Sequence, residues 1–448
     1  MIKNGRLAGF VAIILFRWTY STPRQKIWKV TCLVAFLVSS LELVRSLLSF
    51  SADRWFENLY LLLVTVVSAI SLVKDIWALL VEGLSDRHMV RFFDRRDGES
   101  KGKLNTALQQ LACLEPEKGF SNLEMKSLGD FAVYSSKINA MLCQGAEILV
   151  GISDFSSTAV WKKINRNMKE VCEILTLKQK ADGFVQFFNE QKVMQCSPLK
   201  PSTDGRSLEM RVARSCYYAS YLTNESYRDQ IIDSEGMTQN FGSEGRWFPF
   251  DNYNGDLRLR CLDGRNSAHV GVNTIGITAD GYVLIWQQGS GQHSRNFAAP
   301  TGSGSMDWAD IGNSRASYDL AGRIAFNQVI ISAVERELTE ESFAGVHLKG
   351  GALETRIIGY FRWGARGGLP GFVCLTRIPL KMADIRIDNR EVCRNHDLET
   401  LRMIGSKQDM ITAINTYMRE REKNIPMSLP LHVALVFLRD AIISGEIV

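Results

Sequence analysis

The chain has no C-x-x-C pair, and its nine cysteines, from Cys32 to Cys393, are odd in number and scattered. A disulfide framework or a zinc site needs closer spacing, so the thiols read as reduced, buried side chains and place the bulk of the chain in the cytoplasm. The six histidines, among them His269, His293 and His347, do not gather beside cysteines either. Internal repeats and low-complexity tracts are missing. With 46% hydrophobic and 23% charged residues, the composition is that of a globular protein and suggests neither wholesale disorder nor a multi-pass transporter. The formal net charge is only +5, which argues against a dedicated duplex nucleic-acid binder and leaves room for a nucleotide ligand. A length of 448 residues fits two or three domains.

What is present is unevenly distributed. In region 1–96 two apolar runs, Trp28 to Phe50 and Leu59 to Val81, each reach the length that crosses a bilayer core. Arg17, Arg24, Lys26 and Lys29 flank the first, and Arg87, Arg91, Arg95, Arg96, Lys101 and Lys103 follow the second. The connecting Ser51 to Asn58 carries only Asp53, Arg54 and Glu57 as charges. The positive-inside rule then predicts a hairpin that crosses the membrane twice with both chain ends cytoplasmic, and Trp28, Trp55 and Tyr60 at the interfaces. Glu42, Arg45, Lys74 and Asp75 lie inside the runs, where charges are costly. Either they face other helices across a homo-oligomer seam or the runs are core helices of a soluble fold. Leu7 to Phe16 reads as an interfacial amphipathic helix lying on the lipid bilayer.

Residues 97–255 read as a helical linker or regulatory region, with the longest helical spacing over Trp161 to Glu190. Asp97 to Gly102 and Ser197 to Ser202 read as loops at its boundaries. Arg211 and Arg214 are interleaved with Tyr217, Tyr218 and Tyr221, a mixture that suits nucleotide stacking but is more often the make-up of a half-buried helix.

Over 256–448 the periodicity changes. His269 to Ile277 and Tyr282 to Gln288 read as strands joined by the turn Thr278-Ala279-Asp280-Gly281. A glycine-rich passage, Phe297 to Gly304, precedes a helix over Ile324 to Ser342, with Ile331, Val334 and Leu338 on one face. Strands Arg356 to Arg362 and Gly371 to Ile378 follow, bridged by Gly364 to Pro370. On the helix, Glu337, Glu340 and Glu341 stand at i, i+3 and i+4, within an arc of about 100°. Carboxylates so close repel unless a cation neutralises them, and magnesium is the hard, oxygen-seeking cation that also bridges to a diphosphate. A solvated acidic face is the plainer alternative.

The order Gly322, five residues, Gln328, seven residues, then Arg336-Glu337-Leu338-Thr339-Glu340-Glu341 resembles the Nudix signature with its spacing intact. Ala299-Pro300-Thr301-Gly302, the strand around Ile357 to Tyr360 and the Gly367-Gly368 turn are also similar to family features. The resemblance implies an α/β Nudix sandwich, a mixed sheet flanked by helices, joined to the N-terminal helical transmembrane hairpin and the helical middle region. It implies further that Glu340 and Glu341 bind Mg2+, that Glu337 is a ligand or base, and that Arg336 orients the glutamates. Gln328 replaces a glutamate and Phe343 replaces the glycine that ends the box, departures that weaken or abolish hydrolysis and leave a nucleotide-recognition pocket. By domain order the chain resembles membrane-spanning Nudix effectors of cyclic-oligonucleotide antiphage (CBASS) systems. On that expectation a cyclic nucleotide binds near Arg295, Gly302 and Arg366, and the membrane segments disrupt the inner membrane. The alternative is a membrane-attached, magnesium-dependent hydrolase of a nucleoside diphosphate derivative.

Overall fold

A computed structural model describes residues 120–125, 130–153, 192–225, 229–233, 238–240, 250–253, 256–259, 261–264, 266–287, 297–342, 353–385, 399–424 and 427–447, with 38, 40, 41, 63–66, 69 and 88–92 before them. The chain divides into two compact units. The first comprises Met1–Arg91, Lys162–Val185 and Ile231–Gln239, and the second Phe92–Trp161, Gln186–Gln230 and Asn240–Val448.

The second unit is built on two mixed sheets. The strands of these two sheets in chain order are β1 (Ser121–Met125), β2 (Asp130–Tyr134), β3 (Ile148–Ile152), β4 (Lys192–Gln195), β5 (Lys200–Pro201), β6 (Leu208–Ser215), β7 (Gly271–Thr278), β8 (Tyr282–Gln287), β9 (Ala298–Ala299), β10 (Gly302–Ser305), β11 (Ile324–Ala325), β12 (Glu354–Trp363), β13 (Leu369–Ile378) and β14 (Glu399–Arg402). The 9-stranded sheet runs β9-β8-β7-β13-β12-β2-β1, with β10 also pairing β7 and β14 pairing β8. Its β7–β13 pair is parallel, starting at Gly271 opposite Gly371, and the rest is antiparallel. The 5-stranded sheet runs β11-β3-β6-β4, with β5 on β6, and is parallel only between β3 and β6. Five helices of six residues or more accompany these strands among the described residues: α1 (Ser136–Cys143), α2 (Trp308–Asn313), α3 (Phe326–Ser342), α4 (Lys407–Asn424) and α5 (Leu429–Ser444).

The C-terminal strands follow the sequence reading. Thr278 to Gly281 closes the β7–β8 hairpin, with Ile277 opposite Val283 and Gly281 at φ +81°, a conformation glycine adopts at little cost. β7 gives one edge wholly to β13 and divides the other between β10 and β8, because β8 turns away after two residue pairs. Two apolar clusters hold the unit. α5, buried along almost its whole length, packs with β8, β12 and β13 in one. The other joins Ile148, Val150, Val193 and Val212 of the 5-stranded sheet to Phe326, Ile330 and Val334 of α3.

The expected fold is corrected in two respects. The middle region is not simply helical: β1 to β6 lie within 97–255, and Ser197 to Ser202, expected as a boundary loop, leads from β4 into β5 of one sheet. Local periodicity does not reveal strands whose partners lie far along the chain, as β3 does opposite β11. Nor is the N-terminal transmembrane hairpin seen, because no described helix is long and apolar enough to cross a membrane. Most of Trp28 to Phe50 and Leu59 to Val81, and all of Leu7 to Phe16 and Trp161 to Glu190, lie outside the described residues.

Candidate carboxylate site on helix α3

α3 buries a continuous stripe: Phe326, Val329, Ile330, Ala333, Val334, Glu337, Leu338 and Glu341. The spacing is that of one helix face, and it means that two glutamates occupy positions an apolar side chain would fill. Glu337 is 9% exposed and Glu341 5%, whereas the Glu340 side chain is half exposed. Of the expected face, Val334 and Leu338 are buried, whereas Ile331 is only partly buried and Ile330 beside it is fully so. All three glutamates lie in the last two turns, where the helix already ends in unsatisfied carbonyls and added negative charge is unfavourable.

Strand β10 makes room for this. A Cβ at Gly304 would lie 2.1 Å from the Glu337 carboxyl carbon, and one at Gly302 would lie 3.0 Å from the Leu338 backbone. Only a strand of small residues lets the helix approach so closely. Burial pushes the Glu337 carboxyl up to about 7, with Arg336 pulling it down and Glu340 pushing it further up.

Arg336 is the hub. Its Nε and Nη2 each donate at 3.0 Å to Asp310, whose side chain is 3% exposed, and its Nη1 donates to Glu337 at 2.9 Å and to Glu340 at 3.4 Å. Asp307 Oδ2 lies 3.7 Å from Nη2. Burial alone would lower the guanidinium's pKa, but the hydrogen bond to Asp310 and the charges of Glu337, Asp310 and Asp307 outweigh it and hold it above its ordinary value. Asp307 and Asp310 were not singled out in the sequence. They form a capping box on α2, Asp307 accepting from the Asp310 backbone and Asp310 from the Asp307 amide, a D-x-x-D pattern that could have been read as a helix start.

The other expected site residues divide. Gly322 takes φ +73° in the turn from Asp319 to Arg323, and Gln328 is exposed on the first turn of α3. Arg366, expected to meet phosphate, donates to Glu225 at 2.7 Å and stacks on Trp363 at 5.1 Å. Arg295 and Phe343 lie outside the described residues. Arg211 and Arg214 are on β6, and Arg214 stacks on Trp308 at 4.9 Å, so the Arg–Tyr stretch is a strand followed by a short helix.

No group of three or more His, Cys, Asp and Glu side chains among the described residues forms a ready metal cage. Magnesium does not require one, because it keeps several waters and is held by one or two carboxylates plus substrate phosphates. The donor chemistry fits: Glu337, seated on Gly304, and Glu340 both meet the Arg336 guanidinium, and Glu341 is buried on the same stripe.

No protein-family model matches the chain, and no curated protein is significantly similar to it. Among solved structures, DR0079 from Deinococcus radiodurans is similar over 38% of this chain and 82% of its own, at 14% identity and a TM-score of 0.23. A likeness of that size carries no argument about this chain.

Proposed function

We propose that the chain binds a nucleoside diphosphate derivative through a divalent cation on α3 and hydrolyses it, as a Nudix-like enzyme. The observation that carries the reading is the placement of Glu337 and Glu341 on the buried stripe of α3 at the helix's negative end, with Glu337 seated against Gly304. Burying carboxylates there costs free energy that a solvated acidic face avoids. Glu340 and Glu341 would hold magnesium, with Glu337 as a further ligand or as the base. Bound magnesium supplies positive charge to the phosphate oxygens and acidifies a water. Arg336 orients Glu337 and Glu340 while Asp310 fixes the guanidinium from behind. Purified full-length protein with a panel of nucleoside diphosphate derivatives tests this. Magnesium-dependent turnover abolished by Glu341→Gln is expected, and turnover indifferent to that change would overturn it.

A second reading, nucleotide sensing without turnover, is favoured by Gln328, which stands exposed where the signature has a glutamate. It accords with the resemblance to CBASS effectors. Tight nucleotide binding without product release would select it.

A further inference from the structure

Lys192 sits in β4 with 7% of its side chain exposed. A buried ammonium is costly in desolvation unless a carboxylate meets it. Its Nζ donates to Asp307 Oδ1 at 2.5 Å and lies 4.6 Å from the centre of the Tyr217 ring. Backbone pairing sets the approach: Lys192 and Asp307 form an antiparallel bridge, and the Val193 amide donates to the Met306 carbonyl at 3.0 Å. The other Asp307 oxygen is the one 3.7 Å from Arg336 Nη2. Asp307 and Asp310 therefore draw Arg336 toward α2, while Glu337 and Glu340 hold its Nη1 on α3. How strongly Asp307 pulls depends on the charge opposite it.

We infer that Lys192, contributed by the 5-stranded sheet, is a positioning residue for the α3 site: by neutralising Asp307 it keeps Arg336 Nη1 on Glu337 and Glu340. The inference rests on the proposed function only for what the glutamates hold. In Lys192→Met, Asp307 becomes an unbalanced carboxylate beside Arg336, which turns toward it and releases the two glutamates. Adding Asp307→Asn removes that pull. The double variant therefore regains the wild-type arrangement, although it contains one more substitution.

The full chain is titrated with Mn2+ alone, and amide hydrogen exchange is followed across 335–341. Lys192→Met is expected to weaken Mn2+ binding about tenfold, as changes behind metal ligands do, and to speed exchange in that segment. Lys192→Arg and Lys192→Met with Asp307→Asn are expected to restore both. Unchanged readouts in Lys192→Met, or a double variant as impaired as the single, would show that Lys192 does not position the site through Asp307. Should Lys192→Met not fold, Asp307→Asn carries the test. It is expected to keep Mn2+ affinity within about twofold of wild type, and a tenfold loss would mean that the Asp307 charge itself is needed. If wild type and Glu341→Gln alike take up no Mn2+, the functional reading fails, while the exchange measurements still decide the role of Lys192.

Discussion

Gly304 and Glu337 are a matched pair. The carboxyl of one fills the space a side chain on the other would need. Gly304→Ala must therefore displace Glu337 or move α3 off β10, and either is overpacking at a cost of about 1–3 kcal/mol. A lower urea midpoint accompanied by loss of Mn2+ binding is expected, and an unshifted midpoint would count against the close approach. Asp310 is the second test at this scale. Asp310→Asn removes the charge and one acceptor from a bidentate pair to Arg336, and hydrogen bonds to charged groups are worth about 1.5–3 kcal/mol. Stability should fall by an amount of that order, read from urea unfolding, and Arg336→Lys should mimic it, since an ammonium cannot reproduce the fork. The glutamates were legible from their spacing on a helix. Asp310 was not, because it lies 26 residues before Arg336 and no local pattern links a helix cap to a later guanidinium.

Elements with a strong local signature matched their reading: the β7–β8 hairpin with its Asp-Gly turn, the β12 and β13 strands, and α3. β11, by contrast, was absorbed into the expected helix, since Ile324 and Ala325 suit either state and only pairing with Val150 and Leu149 decides between them. α5 carries a buried histidine on an apolar helix. His432 is held at about 4, below its ordinary value of 6.5, first by burial and then by Arg439, and its Nδ1 has no hydrogen-bond partner among the described residues. Because the folded pKa is depressed, this contribution to stability is fully present above pH 6.5 and is lost as pH falls toward 4. The loss is about 1.4 kcal/mol per pH unit in that window. His269, held at about 3 by burial and then by Arg366, adds a loss of the same sign. Urea unfolding of His432→Leu between pH 4.5 and 7 should show a shallower decline than wild type, and parallel curves would remove the assignment.

At the scale of the molecule, strands of the region expected to be a helical linker pack against the helix that carries the site. The stripe of α3 that carries Glu337 begins with Phe326, Ile330 and Val334, which share an apolar cluster with Ile148, Val150, Val193 and Val212. β11, immediately before α3, is paired with β3, and Lys192 of β4 reaches Asp307 from 115 residues away in sequence. None of these pairings has a sequence-local signal, so composition and periodicity over 97–255 could not have announced them. A fragment of residues 256–448 would expose that cluster and leave Asp307 without Lys192, removing several buried aliphatic contacts, each worth about 1.5–3 kcal/mol. Against the few kcal/mol by which a domain is stable, such a loss is decisive. The fragment is expected to melt without a cooperative transition and to bind no Mn2+, whereas co-expression with a 97–255 fragment should recover both. A 256–448 fragment that unfolds cooperatively in calorimetry, with Mn2+ affinity equal to the full chain, would show that the site stands on the larger sheet alone.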